Sequence, residues 1–257
     1  MKICIVTGLV ATLFGAPTLA AGGNKISCEA AGPQAPRDIT RVLGENSISF
    51  PVAPPAADMK LCDIHFHRNA EHRASGYNSI AGEGDNRGYV CSGATPLPPR
   101  HADGHGDAQG CAGIATGDTV EVHWVFTSCD VAPAPGLGSC FTETCQDPQL
   151  RVEARVFNLT DDGSGANFAK FSTRSSDKIV LPAPVNPVQY LGSTTGSGYN
   201  DGTCSPFKVT WNVSSACTPL EISSLNTWCG KNPFEEDHAH GVREVVEDPS
   251  LLSPISQ

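Results

Sequence analysis

Short β-type runs separated by turn-rich stretches are the feature that most limits how this chain can fold. Alternating or β-branched residues recur in five segments, at 60–67, 119–127, 150–159, 178–181 and 207–213. Glycine (26 residues) and proline (20 residues) are spread between them, and helical periodicity is weak and confined to 223–227 and 235–246. Runs of this kind between turn signals are typical of antiparallel β-structure. We therefore predict a mainly β, single-domain fold, built on a large, mostly antiparallel twisted sheet with long loops and few short helices.

The first 21 residues have the pattern of a removable export signal. Lys2 precedes an apolar run at 3–14, and small residues follow as far as Ala20 and Ala21. A charged start, a short apolar segment and a small-residue cleavage site are typical of a secretory signal peptide. We expect a signal peptide at 1–21 and one domain at 22–257, exported to the periplasm or the extracellular space. No later apolar run approaches the ~18 residues of a spanning helix, so we expect no membrane span.

Cysteine content and charge restrict the possible chemistry further. Loss of Cys4 with the signal leaves ten of the 11 cysteines, and none of these forms a CxxC pair. Ten cysteines in an exported chain predict a disulfide-stapled fold rather than a zinc ribbon. The net charge of −10 becomes −11 without Lys2, and the sequence has no basic cluster. Because such a chain repels phosphate backbones, we expect no nucleic-acid partner.

One predicted strand carries residues suited to metal binding. His65 and His67 are two residues apart, so on a strand they point to the same face, and the same alternation predicts Leu61 and Asp63 on that face. Neutral imidazoles are good ligands for zinc and its neighbours. Taken alone, an HxH pair is also compatible with two histidines that make ordinary hydrogen bonds.

A second predicted strand, at 119–127, strengthens the metal-site hypothesis. His123 provides a third imidazole if this strand lies beside the first one. Glu121 shares a face with His123, and carboxylates commonly orient ligating imidazoles by accepting their second N–H. The alternative is that both side chains occupy the solvent face of a half-buried strand. Together with His65 and His67, they predict a three-histidine site.

At this point the sequence resembles carbonic anhydrases. The alpha class carries HxH on one strand, EH shortly after it and ExH on a neighbouring strand, together with further segments in a fixed order. The similar segments here are 28–39, His65-Phe66-His67, Glu71-His72, Glu121-Val122-His123, 190–195 and 204–211. The VHWVF sequence at 122–126, the additional cysteines and the tail at 228–243 are more similar to the delta class. The chain is therefore identified, by resemblance, as a delta-class carbonic anhydrase with an alpha-type site.

The resemblance implies a zinc-dependent lyase. Its reaction would be the reversible hydration of carbon dioxide to bicarbonate and a proton, by attack of metal hydroxide. His65, His67 and His123 would bind Zn²⁺, for which cobalt or cadmium are possible substitutes. Three neutral imidazoles leave one position of the ion open, and in carbonic anhydrase a water bound there has a pKa of about 7.

The same resemblance assigns roles to a threonine and a glutamate. The Thr195 hydroxyl would orient the attacking oxygen while donating its own proton to Glu71. Thr194 is the alternative to Thr195. His72 is expected to make a buried structural hydrogen bond rather than a metal bond. The proton shuttle stays open among His101, His105, His238 and His240.

Apolar and covalent features complete these expectations. Val122, Val209 and Trp211 are candidates for an apolar wall that receives carbon dioxide. By resemblance, Cys28 pairs with Cys204, and closure of so long a loop contributes about 4–5 kcal/mol in the chain-entropy model. Spacing does not pair the other eight cysteines.

Two alternatives remain open at the level of sequence. A cupin-type metalloenzyme would use Glu71 itself as a ligand for iron or manganese beside His65 and His67, so that Glu71→Gln would strip the metal. An exported, non-enzymatic protein could instead sequester zinc with the acidic, histidine-containing segments at 101–105 and 236–240. That protein would bind several metal ions and would have no turnover.

Overall fold

The computed structural model of the chain describes residues 26–93, 110–175 and 178–256. This part of the chain forms eleven strands, two short α-helices and four 3₁₀ turns. The strands are β1 (Ile26–Ser27), β2 (Lys60–Arg68), β3 (Tyr77–Ala81), β4 (Gly88–Cys91), β5 (Thr119–Thr127), β6 (Leu150–Thr160), β7 (Arg174–Ser175), β8 (Lys178–Ile179), β9 (Pro187–Ser193), β10 (Thr203–Cys204) and β11 (Lys208–Glu221). The helices are α1 (Ala169–Ser172) and α2 (Ile222–Cys229), and the 3₁₀ turns are Ala56–Asp58, Gly84–Asn86, Leu137–Cys140 and Pro249–Leu251. The predicted signal peptide at 1–21, His101 and His105 lie outside the described residues.

A five-stranded sheet in the order β2–β5–β6–β11–β9 is the centre of the fold. Its neighbouring strands are antiparallel except for β6 and β11, which are parallel. The predicted fold class, mainly β with a mostly antiparallel sheet and few short helices, is confirmed. Four of the five predicted runs lie on this sheet, whereas the run at 178–181 forms only the two-residue strand β8.

Both faces of the sheet are covered by apolar layers. Every residue of β5 is buried, and alternation along it sends Val125 to one layer and Val122 and Trp124 to the other. Full burial of a large apolar side chain contributes about 1.5–3 kcal/mol, so both layers hold β5 in place. The central strands are therefore fixed in register, and so are the polar side chains that they carry.

A β-bulge at Cys62 changes which way the first residues of β2 face. Leu61 and Asp63 pair with consecutive residues of β5, which makes Cys62 the extra residue. Leu61 consequently packs with Phe66, in the layer opposite the imidazoles. The prediction that Leu61 shares a face with His65 is therefore wrong. Asp63 follows the bulge and keeps the predicted facing.

The segment at 235–246 is not helical, in contrast to the weak periodicity of its sequence. It runs extended along the free edge of β2, where the His240 N–H donates a 2.8 Å hydrogen bond to the Phe66 carbonyl. The edge of β2 offers main-chain partners that a helix could not use. The second weak helical signal, at 223–227, lies inside α2.

Five disulfides staple the described part of the chain. They are Cys28–Cys204, Cys62–Cys140, Cys91–Cys217, Cys111–Cys229 and Cys129–Cys145. The first is the pair that the resemblance implies. A disulfide content this high is typical of exported proteins. None of the helices in the described ranges has the length and apolar character needed to cross a membrane.

We expect the two disulfides with the largest and smallest sequence separations to differ in their contribution to stability. Cys28–Cys204 spans 176 residues and Cys129–Cys145 spans 16. In the chain-entropy model, replacing both cysteines by serine lowers the free energy of unfolding by about 5 kcal/mol for the long loop and by about 3 kcal/mol for the short one. Urea unfolding without reductant measures both variants, and a larger loss for the short loop would contradict the expectation.

Candidate metal centre

The pairing of β2 with β5 brings three imidazoles together. His65 and His123 are direct cross-strand partners, and His67 follows His65 on the same face of β2. The three ring centroids are 4.8–5.2 Å apart. One ring nitrogen from each histidine lies within 4.8 Å of the other two. These three side chains could hold one metal ion.

The second nitrogen of each ring lies close to an oxygen acceptor, which forms a hydrogen bond at His65 and His67 and a charge contact at His123. The pairs are His65 Nδ1 with Asp63 Oδ2 (2.7 Å), His67 Nδ1 with the Gly241 carbonyl oxygen (2.9 Å) and His123 Nε2 with Glu121 Oε1 (3.2 Å). An acceptor at one nitrogen selects the tautomer whose other nitrogen carries the lone pair. Nε2 of His65 and His67 and Nδ1 of His123 are therefore the atoms that could bind an ion.

The three nitrogens that face one another lack hydrogen-bond donors in the described part of the chain, and a metal ion could take the place of those donors. Nε2 of His67 is buried and has no hydrogen-bond partner among the described residues. Nε2 of His65 and Nδ1 of His123 face each other at 3.2 Å. Buried polar atoms almost always have a partner. A divalent cation would satisfy all three nitrogens at once.

Burial keeps two of the rings in the neutral form that a ligand requires. Burial, with the neighbouring rings of His123 and His65, holds the pKa of His67 well below its ordinary value. Burial also lowers the pKa of His123 to about 4, although Glu121 opposes the shift. At His65, burial opposes protonation, but Asp63 together with Glu236 and Glu71 outweighs it and raises the pKa.

Glu121 organises the buried groups behind the imidazoles. Its Oε1 accepts a 2.7 Å hydrogen bond from His72 Nδ1, and its Oε2 accepts the main-chain N–H groups of Glu71 (2.6 Å) and His72 (3.1 Å). Burial alone would raise the pKa of Glu121, but His72 and His123 outweigh it and hold the pKa well below its ordinary value. Glu121 is thus an ionised acceptor enclosed by donors.

A second group of possible ligands, His72, Glu121 and His123, is less suited to a metal. The other nitrogen of His72, Nε2, lies 2.7 Å from the Tyr190 hydroxyl, so both nitrogens of this ring are used in hydrogen bonds. His72 therefore has the structural hydrogen bonds expected of it. Within the described ranges, these two sets are the only groups of three donors that could share an ion.

Glu71 and Thr195 lie together beside the imidazoles. Glu71 is 1% exposed, its Oε1 accepts the Arg243 N–H at 2.8 Å, and its Oε2 is 3.7 Å from His67 Nε2. Burial and Glu121 raise the pKa of Glu71 to about 7, against the hydrogen bonds from Arg243 and Thr195. The Thr194 hydroxyl is instead paired with Ser205 at 2.6 Å. Thr195, and not Thr194, is the threonine whose hydroxyl contributes to the pKa of Glu71.

A cavity of about 370 Å³ opens onto the three imidazoles. Thr195 and Trp211 line it, as do several apolar residues that the sequence analysis did not assign to it, namely Val125, Leu137, Val152 and Phe234. Val125 could have been found from sequence, because it is two residues from His123 and therefore on the same face. The other three reach the cavity only through tertiary structure.

Two residues of the predicted apolar wall do not line this cavity. Val122 packs in the layer on the opposite face of the sheet, so its assignment to the wall is wrong. The reason is simple alternation, since Val122 and His123 are neighbours on one strand. Val209 shares a buried layer with Trp211 but is not at the surface of the cavity.

Residues from the C-terminal part of the chain complete the surroundings of the site. Glu236 Oε1 accepts the Phe66 N–H at 3.0 Å, and Glu236 Oε2 lies 2.9 Å from His240 Nε2. Glu236, His238, His240 and Gly241 all line the cavity. His238 and His240 were candidates for the proton shuttle or for zinc sequestration from sequence, but the contacts of Glu236 and Gly241 could not be foreseen, because an irregular segment has no periodicity that would show what it contacts.

Comparison with known families decides the class of the protein. The family profile described as delta carbonic anhydrase matches residues 56–224, about two thirds of the chain. This chain belongs to the delta carbonic anhydrase family. The resemblance noted in the sequence is thereby confirmed. Among curated proteins, none matches this delta carbonic anhydrase.

Solved structures that are similar to this delta carbonic anhydrase include other carbonic anhydrases. The alpha-carbonic anhydrase of Thermovibrio ammonificans, in complex with the inhibitor sulfanilamide, is 14% identical, with 82% of this chain and 83% of that chain covered and a TM-score of 0.32. A hyperthermostable carbonic anhydrase identified from an active hydrothermal vent chimney is 13% identical, with 89% and 88% covered and a TM-score of 0.34. The fungal alpha-carbonic anhydrase of Aspergillus oryzae is 16% identical, with 81% of each chain covered and a TM-score of 0.33.

We expect His123→Ala to lose the metal. Removing one of three ligands should lower zinc affinity by more than the roughly 10–100-fold that loss of an outer hydrogen bond costs. His240→Ala is the matched control, because that imidazole lines the same cavity but is paired with Glu236. Competition with a chromophoric chelator measures both affinities, and circular dichroism checks the fold. Equal affinity in the two folded variants would contradict the assignment.

Proposed function

We propose that this chain is an exported zinc enzyme that catalyses the reversible hydration of carbon dioxide to bicarbonate and a proton. The observation that carries the proposal is the cluster of His65, His67 and His123 at the floor of a partly apolar cavity, in a member of the delta carbonic anhydrase family. Three histidines are a ligand set of catalytic zinc sites, which keep a fourth position open. Cobalt or cadmium could replace zinc on the same nitrogen ligands.

Bound at these imidazoles, the ion would supply Lewis acidity towards water and carbon dioxide. The chain itself supplies the orientation of the ligands. Asp63, Glu121 and the Gly241 carbonyl hold the rings from behind, as outer hydrogen-bond partners do in metal sites generally. Rings held in this way aim their nitrogens at a single point and lose little entropy when the ion binds.

Thr195 and Glu71 are proposed to orient the reacting oxygen. When its proton is directed at Glu71, the Thr195 oxygen can only accept a hydrogen bond from a group in the cavity. This selects one orientation of the reacting oxygen, and orientation of this kind lowers the barrier without any change in binding. The interaction of Thr195 with buried Glu71 supports the assignment.

The apolar lining is proposed to receive carbon dioxide. Val125, Val152 and Trp211 line the cavity together with the imidazoles. Carbon dioxide has no net charge or dipole, so apolar surface that sheds its water is the available form of attraction. Val209 supports Trp211 from within the same buried layer. The proposal includes no nucleic-acid partner, because a chain with a net charge of −10 repels phosphate backbones.

The proposal includes export and a domain at 22–257. Five disulfides support an oxidising compartment, and the sequence at 1–21 supports a signal peptide. Periplasmic and extracellular locations both satisfy these observations.

Stopped-flow hydration of carbon dioxide, followed with a pH indicator, tests the proposal. We expect the mature protein to bind one zinc ion per chain, to lose its activity on chelation and to regain it when zinc is returned. A preparation with one zinc ion per chain and no hydration activity would overturn the proposal. Several ions per chain without turnover would favour sequestration instead.

Glu71→Gln distinguishes this enzyme from a cupin. We expect the variant to keep one zinc ion per chain and to lose about 100-fold in hydration rate, because the amide can donate to Thr195 and no longer fixes its proton. Metal analysis and stopped-flow on the same sample measure both effects. Loss of the metal together with the rate would show that Glu71 is itself a ligand, as a cupin requires.

A further inference from the structure

The C-terminal segment at 236–243 contacts the candidate site through its main chain. The Gly241 carbonyl accepts a hydrogen bond from His67 Nδ1, and the Arg243 N–H donates to Glu71 Oε1 at 2.8 Å. The segment lies beyond residues 56–224, which the family profile matches. Its last residue, Arg243, is a buried cation beside Glu71.

The guanidinium of Arg243 reaches a second part of the site. Arg243 is 3% exposed, its Nη1 donates to the Ala35 carbonyl at 2.6 Å, and its Nη2 donates to the Asn200 carbonyl at 3.2 Å. Its central carbon also lies 5.9 Å from the centre of the Tyr199 ring, within cation–π range. Tyr199 and Asn200 belong to the loop at 194–202, which also carries Thr195.

Other contacts hold the two ends of this loop, and Asp201 near its end interacts with the Glu247 main chain. Gln34 Oε1 accepts the Ser193 hydroxyl at 3.2 Å before the loop and the Ser205 N–H at 2.9 Å after it. The disulfide from Cys28 to Cys204 fixes the far end. Arg243 adds a buried side-chain tether at Tyr199 and Asn200, between Thr195 and the disulfide.

We propose that Arg243 is a positioning residue for the hydration reaction. Its main-chain N–H fixes Glu71, and its guanidinium fixes the loop that carries Thr195, so one buried residue sets how the two partners meet. This inference rests on the proposed function. Small displacements of orienting groups are costly, since about 1 Å can lower a rate about 100-fold.

A second cavity makes this role accessible to experiment. It has a volume of about 350 Å³, and Glu71, Arg87, Asp201, Arg243 and Glu244 are among the residues that line it. When the Arg243 side chain is removed, a small cation can enter its position from this cavity. The carboxylates that line the cavity favour cations over anions.

Arg243→Ala is the first test. We expect the zinc-loaded variant to lose at least about tenfold in kcat with little change in KM, because the metal ligands stay in place and the orientation of Thr195 is lost. Hydrogen exchange should become faster at 194–202 and stay unchanged at 65–67. Free guanidinium, well below denaturing concentrations, should restore part of the rate, whereas urea, which has a similar shape and no charge, should not.

Two further variants serve as controls. Arg87→Ala removes the other arginine of the second cavity, and the partner of that arginine is the exposed Glu244. This variant should keep the wild-type kcat, and guanidinium should not raise it. Arg243→Lys keeps the charge without the planar fork that reaches two carbonyls, so its loop exchange and kcat should lie between those of the wild type and Arg243→Ala.

Unchanged kcat and loop exchange in Arg243→Ala would overturn the inference, as would a folded, zinc-loaded variant that guanidinium does not rescue. If Arg243→Ala does not fold, Arg243→Lys decides, and wild-type kcat and loop exchange in that variant would overturn the inference. A wild-type protein without hydration activity would refute the proposed function. The exchange measurement would then still report whether Arg243 holds the loop.

Discussion

The antiparallel pairing of β2 with β5 is the constraint on which the rest of the site depends. It sets His65 directly opposite His123 and leaves His67 on the same face. A slip of one residue would turn one strand's imidazoles into the apolar layer that contains Val122 and Trp124, because side chains alternate along a strand. Apolar burial on both faces therefore specifies the positions of the three imidazoles as well as the fold. The bulge at Cys62 belongs to the same arrangement, since it lets the start of β2 join the opposite layer while Asp63 stays behind His65.

The polar groups behind the imidazoles form one buried network. Glu121 accepts from His72 and from two main-chain N–H groups, and His72 continues to the Tyr190 hydroxyl. A charge enclosed at this depth is stable only when donors surround it, and removing one donor leaves an uncompensated charge. The network therefore restrains Glu71 and His123, both of which contact Glu121 directly. The C-terminal segment restrains two further side chains. The Gly241 carbonyl accepts a hydrogen bond from His67, and the Arg243 N–H donates one to Glu71.

Local pattern was sufficient for part of this site and insufficient for the rest. Alternation predicted that His65 and His67 share one face of a strand and that His123 joins them if its strand lies beside the first, and the pairing of β2 with β5 meets that condition. The same rule, applied to Val122, would have excluded it from the cavity. Leu61 could not be placed from sequence, since a bulge has no signature there. Gly241 and Arg243 could not be placed either. Their contacts with His67 and Glu71 are made by main-chain groups, which residue type does not reveal, and the partners of the Arg243 guanidinium are distant in sequence. Pairing of the remaining cysteines likewise required the three-dimensional course of the chain.

X-ray absorption at the zinc edge of the mature, metal-loaded protein tests the central claim most directly. The account predicts one zinc environment per chain, with three imidazole nitrogens at about 2.0–2.1 Å and one further light-atom ligand that small anions can replace. Sulfur in the coordination shell, a fourth imidazole, or fewer than three imidazoles would contradict it.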